Sequence, residues 1–202
     1  IKTDLSRRMI WLVSRDGTEH RPLAGDTAQE SSPRWSPDGT RLAYVSGDAE
    51  GGAQIFVKWL AEAVTTRVTN LTEVPSRLVW SPDGKSLAFV MRVPVKRELL
   101  VVKLPEAPKG AHWADPLQAI DRVVYRADGE GFLPDAFRQV FVVPADGGTA
   151  RQLTEGPYEH ADLAWVPDGR ELLVAANRRA DADLNPVDTE IHAIDLATGS
   201  IR

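Results

Sequence analysis

The sequence predicts an all-β protein built from repeated four-stranded antiparallel units, and two observations support this prediction. The pentapeptide Trp-Ser-Pro-Asp-Gly occurs twice in identical form, and two variants of it follow at similar intervals. Apolar runs of strand length alternate with Gly, Asp and Pro turns, and no stretch shows convincing helical periodicity. Self-similarity at a period of this length indicates a repeat architecture.

The copies of the pentapeptide each begin with an aromatic residue. They start at Trp35, Trp80, Tyr125 and Trp165, in steps of 45, 45 and 40 residues. Proline suits the second position of a tight turn, and glycine supplies the left-handed residue that follows in a bulged hairpin. Because the three tryptophans share one register, we expect them in equivalent buried positions between neighbouring repeats.

The aspartates of these turns are Asp38, Asp83 and Asp168. Each can fold its carboxylate back onto nearby backbone N–H groups and so hold the turn. After each turn comes an apolar run with a high β-strand propensity, such as residues 42–45 or 87–90. The first half of each unit is therefore a β-hairpin.

A second type of hairpin completes the unit. Residues 10–24 give strand, Asp-Gly turn and strand, and the pattern recurs at 140–154 and, with a Thr-Gly turn, at 191–202. Four antiparallel strands in about 40 to 45 residues form one blade of a β-propeller. The predicted domain, residues 1–202, is a partial β-propeller with a half blade at 1–25 and blades near 31–72, 75–118, 120–155 and 160–202.

Three stretches interrupt the blades. Residues 105–116 form a Pro-rich loop, residues 130–135 occupy the place of a second strand, and residues 177–190 form a polar loop. Loops on one face of a scaffold commonly carry its binding function. Because the chain opens on Ile1 and on half a blade, and stops before a last strand, we expect it to be a segment of a longer protein.

The composition excludes several classes of function. The net charge is −5 and no Lys/Arg block of useful length occurs, which argues against a nucleic-acid partner. Zero cysteines exclude disulfides and thiol chemistry, and are compatible with a cytoplasmic location, which we favour, or a periplasmic one. No apolar run approaches the ~20 residues of a membrane span, so no membrane partner is expected.

The sequence assigns no catalytic, cofactor-binding or metal residue. It contains no Gly-x-Ser-x-Gly, and the four histidines, His20, His112, His160 and His192, are scattered along the chain. His192 lies in an alternating strand, where a role on the strand face is expected. His160 lies on a loop between blades and is the one histidine considered for a role near a central cavity.

Two further features resemble sites. Residues 181–190 resemble a calcium loop, but the sixth and twelfth positions hold Pro186 and His192 instead of Gly and Glu, so a solvated acidic loop is predicted. Basic pairs occur at 7–8, 96–97 and 178–179. Most such pairs are solvated strand ends, although an arginine facing a channel could hold a substrate carboxylate.

The repeats resemble those of TolB-like proteins and of the prolyl oligopeptidase family. Residues 122–132, 138–148, 151–156 and 185–199 are similar to the acylaminoacyl-peptidase and dipeptidyl-aminopeptidase branch of that family, and the resemblance covers essentially the whole chain. It implies a serine peptidase whose propeller restricts entry of short peptides to a C-terminal α/β-hydrolase domain of the same polypeptide. The Ser-Asp-His triad would then lie beyond Arg202. The paired glutamates with which dipeptidyl peptidases grip an amino terminus are not recognisable here.

Three functions remain open at this stage. The first is a non-catalytic gating propeller with the hydrolase domain and peptide substrates as partners, in a protein that could also form a homo-oligomer. The second is a TolB-like propeller that binds proteins without enzymatic activity. The third is a propeller enzyme with chemistry on its own channel loops, which would require carboxylates or histidines clustered on one rim.

Overall fold

The computed structural model describes residues 8–23, 29–48, 52–95, 109–110, 120, 122–129 and 131–202. All regular elements among them are β-strands. The strands are β1 (Trp11–Val13), β2 (His20–Pro22), β3 (Gln29–Trp35), β4 (Arg41–Asp48), β5 (Gly52–Trp59), β6 (Val64–Arg67), β7 (Ser76–Trp80), β8 (Ser86–Pro94), β9 (Arg126–Ala127), β10 (Gly131–Phe132), β11 (Ala136–Pro144), β12 (Arg151–Gln152), β13 (His160–Trp165), β14 (Glu171–Ala176) and β15 (Glu190–Asp195). Within these ranges no helix is long and apolar enough to cross a bilayer.

The strands form antiparallel sheets, which confirms the all-β prediction. The first sheet is β1-β2, the second β3-β4-β5-β6, the third β7-β8-β11-β12 and the fourth β13-β14-β15, while β9 and β10 form a separate hairpin. An isolated bridge from Ile194 to Ile201 adds the start of a further strand to the fourth sheet. The leading strands β3, β7 and β13 lie side by side, and no described strand of the first or second sheet contacts the fourth. The sheets therefore form an open arc.

The prediction of separate blades at 75–118 and 120–155 is wrong. Strands from both stretches lie in the third sheet, where β8 pairs with β11 over all nine of its residues, from Ser86↔Pro144 to Pro94↔Ala136. This pairing joins two long apolar strands, and Phe89 and Phe141 stack with ring centroids 5.4 Å apart. The copy of the pentapeptide that begins at Tyr125 belongs instead to the β9–β10 hairpin, which comes between β8 and β11 along the chain. Most of the predicted Pro-rich loop at 105–116, and the stretch 96–104 that precedes it, lie outside the described residues.

The core lies between the faces of consecutive sheets. Ile10 and Leu23 of the first sheet region pack on Leu42 and Tyr44 of the second. The contact between the second and third sheets and the contact between the third and fourth sheets are built the same way, with apolar residues alternating along each strand. The buried residues of the first of these include Val45, Ile55, Leu78 and Phe89, and those of the second include Ala88, Val140, Leu172 and Ile194. Burial on both faces explains why β8 reads as a continuous apolar run.

The Ser-Pro-Asp-Gly turns have the predicted chemistry. Asp38 Oδ1 accepts hydrogen bonds from Ser36 Oγ at 2.6 Å and from the Thr40 backbone N–H at 3.0 Å. Asp83 is held in the same way by Ser81. The Ser36 hydroxyl and the Thr40 groups lower the pKa of Asp38 to about 2, because they stabilise the charged carboxylate.

Trp80 and Trp165 each connect their sheet to the one before it. Trp80 Nε1 donates to the carbonyl oxygen of Arg34 at 2.9 Å, and Trp165 Nε1 donates to that of Val79 at 3.4 Å. Arg41 lies 4.9 Å over the Trp80 ring and donates to the Gly84 carbonyl at 2.7 Å. Each indole therefore bonds to the residue that precedes the tryptophan of the preceding sheet.

The prediction that all three tryptophans are equally buried is wrong for Trp35. Trp80 is 8% exposed, Trp165 is partly buried, and Trp35 is 55% exposed. The physical reason lies in the sheet that precedes Trp35. That sheet has only β1 and β2 among the described residues, and neither is the counterpart of β3, so no described strand offers the Trp35 indole the carbonyl that Trp80 and Trp165 bond.

Candidate functional site

A cavity of about 660 Å³ lies where β8 ends and where β11 and β13 begin. We call it the strand-end pocket; its polar wall includes Arg92, Arg122, Arg138 and Glu159, and its apolar wall includes Phe137 and Leu133. The segment around the β9–β10 hairpin covers one side, and the loop after β14 covers another. Both covering segments are insertions between the second and third strands of their sheets, which is why they meet at the same edge of the arc.

His160, at the start of β13, is completely buried beside this pocket. Its Nδ1 lies 2.7 Å from the Arg138 carbonyl oxygen, and its Nε2 lies 2.9 Å from Arg178 Nη1. Because a carbonyl oxygen only accepts, Nδ1 carries the proton and Nε2 accepts from the guanidinium. Burial, and then the nearby positive charge of Arg178, lower the pKa of His160, although the bond to Arg138 opposes them.

Arg178 joins this histidine to an aromatic ring. Its guanidinium carbon lies 4.5 Å from the centroid of the Tyr158 ring, within the range of a cation–π contact. His160, Tyr158 and Arg178 therefore form one packed group across β13 and the loop after β14. Both ring nitrogens of His160 are already engaged, so this histidine supports the wall of the pocket and is not poised as a base.

Two arginines face one glutamate in the pocket. Arg92 Nη1 lies 3.4 Å from Glu159 Oε1, and Arg138 Nη1 lies 4.0 Å from Glu159 Oε2. The Arg138 backbone N–H also donates to Glu159 Oε2 at 3.2 Å. Both guanidinium contacts are longer than the 2.7–2.9 Å of a strong charge-assisted hydrogen bond. Glu159 therefore compensates the two positive charges only in part.

A third arginine lies against the apolar wall. The Arg122 guanidinium carbon is 5.0 Å from the centroid of the Phe137 ring. Next to it, Asp183 Oδ2 accepts a hydrogen bond from the Val123 backbone N–H at 2.6 Å. That bond ties the loop after β14 to the segment that leads into β9, so the two covers of the pocket are joined.

The acidic loop at 181–190 is organised by an arginine. Asp181 Oδ1 lies 3.0 Å from Arg179 Nε, and Asp188 Oδ2 lies 3.6 Å from Arg179 Nη1. Asn185 Nδ2 donates to Asp181 Oδ2 at 2.9 Å. The hydrogen bond and the charge of Arg179 lower the pKa of Asp181. Within the described ranges no cluster of three His, Cys, Asp or Glu residues is arranged to hold a metal ion.

Of the other histidines and the basic pairs, only Arg179 lines the pocket among the described residues. His20 lies in β2 beside Trp11, with ring centroids 4.6 Å apart. His192 lies in β15, and its Nε2 is buried without a partner among the described residues. His112 and the pair at 96–97 lie outside the described residues, as does the first residue of the pair at 7–8. Arg178 and Arg179 are engaged with His160 and with the acidic loop, respectively.

Sequence reasoning missed most of this site. Arg92, Arg122 and Arg138 lie 16 to 46 residues apart and become neighbours only because β8 pairs with β11. The pairing places Arg92 directly opposite Arg138. The signal available in the sequence was the repetition of the Gln-x-Phe-Val pattern of β5 in β11, which marks β11 as a third strand.

A second groove of about 720 Å³ lies at the opposite edge, between the turns of the third and fourth sheets. Its wall includes Pro82, Trp165 and Leu196. Arg151 closes one end by donating to the Leu196 carbonyl oxygen at 2.9 Å. This groove is formed by the repeated turns themselves, so it follows from the blade geometry.

Solved structures of low sequence identity share the fold of this chain. Acylaminoacyl peptidase from Pyrococcus horikoshii superposes with a TM-score of 0.66 at 19% identity, over 96% of this chain and 27% of that chain. TolB from Acinetobacter baumannii superposes with a TM-score of 0.58 at 16% identity, over 96% of this chain and 36% of that chain. The chain has the β-propeller fold. The described propeller sheets form an arc and do not close into a ring.

Curated relatives of the propeller include peptidases. The uncharacterized peptidase YuxL of Bacillus subtilis is 26% identical over 168 residues, which is 83% of this chain and 25% of the relative. Dipeptidyl-peptidase 5 of Porphyromonas endodontalis is 23% identical over an alignment of 218 residues that covers 99% of this chain and 30% of the relative. No family model matches the chain. This propeller thus spans about a quarter to a third of the length of these relatives, and the similarities support a propeller domain of a peptidase family.

Proposed function

We propose that this chain is the non-catalytic propeller domain of a serine peptidase, where it restricts the access of peptides to an α/β-hydrolase domain of the same polypeptide. The observation that carries the proposal is the pattern of coverage. Peptidases match 83% and 99% of this chain, which in turn covers only 25% and 30% of their length. A catalytic domain of such a protein would then lie in the part that the propeller does not cover.

The chemistry of the described residues supports a non-catalytic role. None of the described residues lining the strand-end pocket is a serine, and His160 has both ring nitrogens engaged. Nucleophilic catalysis needs a nucleophile within hydrogen-bond reach of a base. The propeller supplies walls and charges, and the hydrolase domain would supply the nucleophile.

The experiment compares the full-length protein with residues 1–202 alone in hydrolysis of acyl-amino-acid and aminoacyl chromogenic substrates. We expect the full-length protein to turn over these substrates and a serine-directed inhibitor to abolish the activity, while the isolated propeller is inactive. Inhibitor-sensitive turnover by residues 1–202 would overturn the non-catalytic assignment.

Gating is tested with a matched pair of substrates. One is a short peptide, and the other is a folded protein that displays the same sequence in an exposed loop. A propeller that restricts access by the width of its opening predicts cleavage of the short peptide only. Equal rates for the two substrates would overturn gating while leaving the peptidase assignment intact.

A TolB-like binding module is the second candidate. It is favoured by a 30% identity with the Tol-Pal system protein TolB of Alcanivorax borkumensis, over 88 residues that make up 44% of this chain. The complete coding sequence separates the two candidates. A Gly-x-Ser-x-Gly elbow with Asp and then His downstream supports the peptidase, whereas a full-length protein without such an elbow leaves the binding module.

A further inference from the structure

We propose that the strand-end pocket binds a peptide through its C-terminal carboxylate, which Arg92 and Arg138 hold, while the C-terminal side chain packs on Phe137. The inference rests on the proposed function in one respect, namely that the ligand is a peptide. The charges in the pocket favour a carboxylate as the bound group. The apolar wall beside these charges favours the carboxylate of a chain terminus.

The charge balance favours an anion. Among the arginines that line the pocket, Arg179 is compensated by Asp181 and Asp188. Arg92, Arg122 and Arg138 remain, and the described acidic groups on the wall are Glu159 and Asp183. Asp183 is engaged by a backbone N–H group on the hairpin side. Among the described residues of the wall, three guanidinium groups therefore stand against mainly one carboxylate, that of Glu159, which contacts Arg92 and Arg138.

Partial burial makes this imbalance costly. The Arg92 side chain is 24% exposed and its contact with Glu159 is 3.4 Å long. A positive charge that has lost much of its water without gaining a close partner is destabilised, and a bound anion restores the lost interaction. Arginine is the side chain whose planar donors match a carboxylate in a two-bond geometry.

The apolar wall determines what accompanies the carboxylate. Phe137 and Arg138 are consecutive residues of β11, and Val124 and Leu133 complete the wall beside the hairpin. A cavity of about 660 Å³ that combines charged groups with an apolar wall has the size and the mixed lining of a small-ligand site. The ligand therefore has an apolar body next to its anionic group.

A C-terminal residue has this combination. It carries its carboxylate and its side chain on the same Cα, so one residue reaches both an arginine and Phe137. An internal Asp or Glu carries its carboxylate at the end of its own side chain, so any apolar group must come from another residue. A free carboxylate at a chain end also lets the peptide stop inside the pocket, under the joined covers.

The test measures binding to the full-length protein, pretreated with a serine-directed inhibitor so that no probe is hydrolysed. Isothermal titration uses three probes: N-acetyl-Ala-Ala-Phe, its C-terminal amide, and N-acetyl-Ala-Asp-Phe-amide, whose only carboxylate is on a side chain. We expect the free acid to bind at least about tenfold more tightly than either amide, since a hydrogen bond to a charged group contributes that much or more.

The variants are Arg92→Gln and Arg138→Gln, with Arg15→Gln as the matched control. Arg15 is exposed in the β1–β2 turn and loses the same charge outside the pocket. We expect each pocket variant to lose the preference for the free acid, and the control to keep it. Circular dichroism reports whether each variant is folded, and if Arg138→Gln does not fold, Arg92→Gln carries the test.

Three results would overturn the inference: equal binding of acid and amide, an acid preference that survives both pocket variants, or binding of the aspartyl amide as tight as that of the free acid. The last would show that a side-chain carboxylate is enough. Hydrolysis of peptides by the protein without the inhibitor is measured in a separate experiment. A protein that hydrolyses peptides without the acid preference overturns only this inference, whereas one that binds the acid but has no hydrolase domain overturns only the proposed function.

Discussion

The hydroxyl of Thr154 donates a hydrogen bond to Gln139 Oε1 at 2.7 Å, and both residues are almost completely buried. The same hydroxyl accepts the backbone N–H of Val140 at 2.9 Å. The second sheet has an identical arrangement 85 residues earlier, in which Thr69 bonds to Gln54 at 3.0 Å. A buried Gln–Thr pair thus connects the third strand of a sheet to the segment after its fourth strand.

This pair predicts that Thr154→Val destabilises the protein by about 1–3 kcal/mol, because the buried Val140 N–H and Gln139 Oε1 lose their partner. The free energy of unfolding in urea measures the effect. Thr149→Val, at an exposed position before β12, is the matched control and should stay within about 0.5 kcal/mol of the parent protein. A Thr154→Val effect as small as that of the control would contradict the role of the pair.

The unequal burial of the tryptophans gives a second prediction. Trp80→Ala removes a large side chain from the core and a hydrogen bond to the Arg34 carbonyl, so we expect a loss of about 3–5 kcal/mol in stability. Trp35→Ala, at the same position of the preceding repeat, should have a much smaller effect because Trp35 is 55% exposed. Urea unfolding of the two variants checks the difference, and equal losses would show that Trp35 is buried in solution.

The environment of His160 predicts a pH dependence. Burial lowers its pKa in the folded protein, so below an unfolded value near 6.5 the unfolded chain binds a proton that the folded protein does not. The stability contributed by the neutral ring is therefore present at pH 7.5 and lost as the pH falls below about 6.5. The slope approaches about 1.4 kcal/mol per pH unit, until the pKa of the folded state is reached.

The control for this dependence is His160→Gln. Its amide nitrogen can donate to the Arg138 carbonyl and its amide oxygen can accept from Arg178, without titrating. We expect the stability difference between the parent protein and this variant to shrink as the pH is lowered from 7.5 to 5.5. A parent protein that gains stability relative to the variant on acidification would show that the folded-state pKa is raised.

The register of the fourth sheet predicts the residue types at positions beyond Arg202 in the full-length protein. Arg202 exchanges backbone hydrogen bonds with Ala193, at 2.8 and 3.0 Å, as the start of a fourth strand. By comparison with the third sheet, Arg202 corresponds to Arg151, so the positions two and three residues further on correspond to Leu153 and Thr154. We expect an apolar residue and then Thr there, which the coding sequence of the full-length protein checks. A charged residue in place of the apolar one would contradict this register.

The sequence by itself was sufficient for the parts of the fold that depend on neighbours along the chain. The Ser-x-Asp-Gly turns form as predicted. The Ser36 hydroxyl donates to Asp38, Asp38 accepts the Thr40 backbone N–H, and Ser36 accepts the Arg41 backbone N–H. The antiparallel hairpins β3–β4, β7–β8 and β13–β14 follow from these turns and from the alternation of apolar residues around them. The period of the repeats was enough to predict a propeller.

Only the tertiary structure decided the features that depend on distant partners. The partner of β8 is β11, because the stacking of Phe89 on Phe141 and burial between two sheets favour this pairing over a pairing with a strand closer in the sequence. The exposure of Trp35 depends on which sheet stands beside it, and its sequence motif is identical to that of the buried Trp80. The strand-end pocket has the same origin: Arg92 and Arg138 lie opposite each other only in the paired strands, and His160 acquires its tautomer from a carbonyl of β11. Local hydrogen bonds are encoded within a few residues, whereas burial and charge balance are set by whichever surfaces the folded chain brings together.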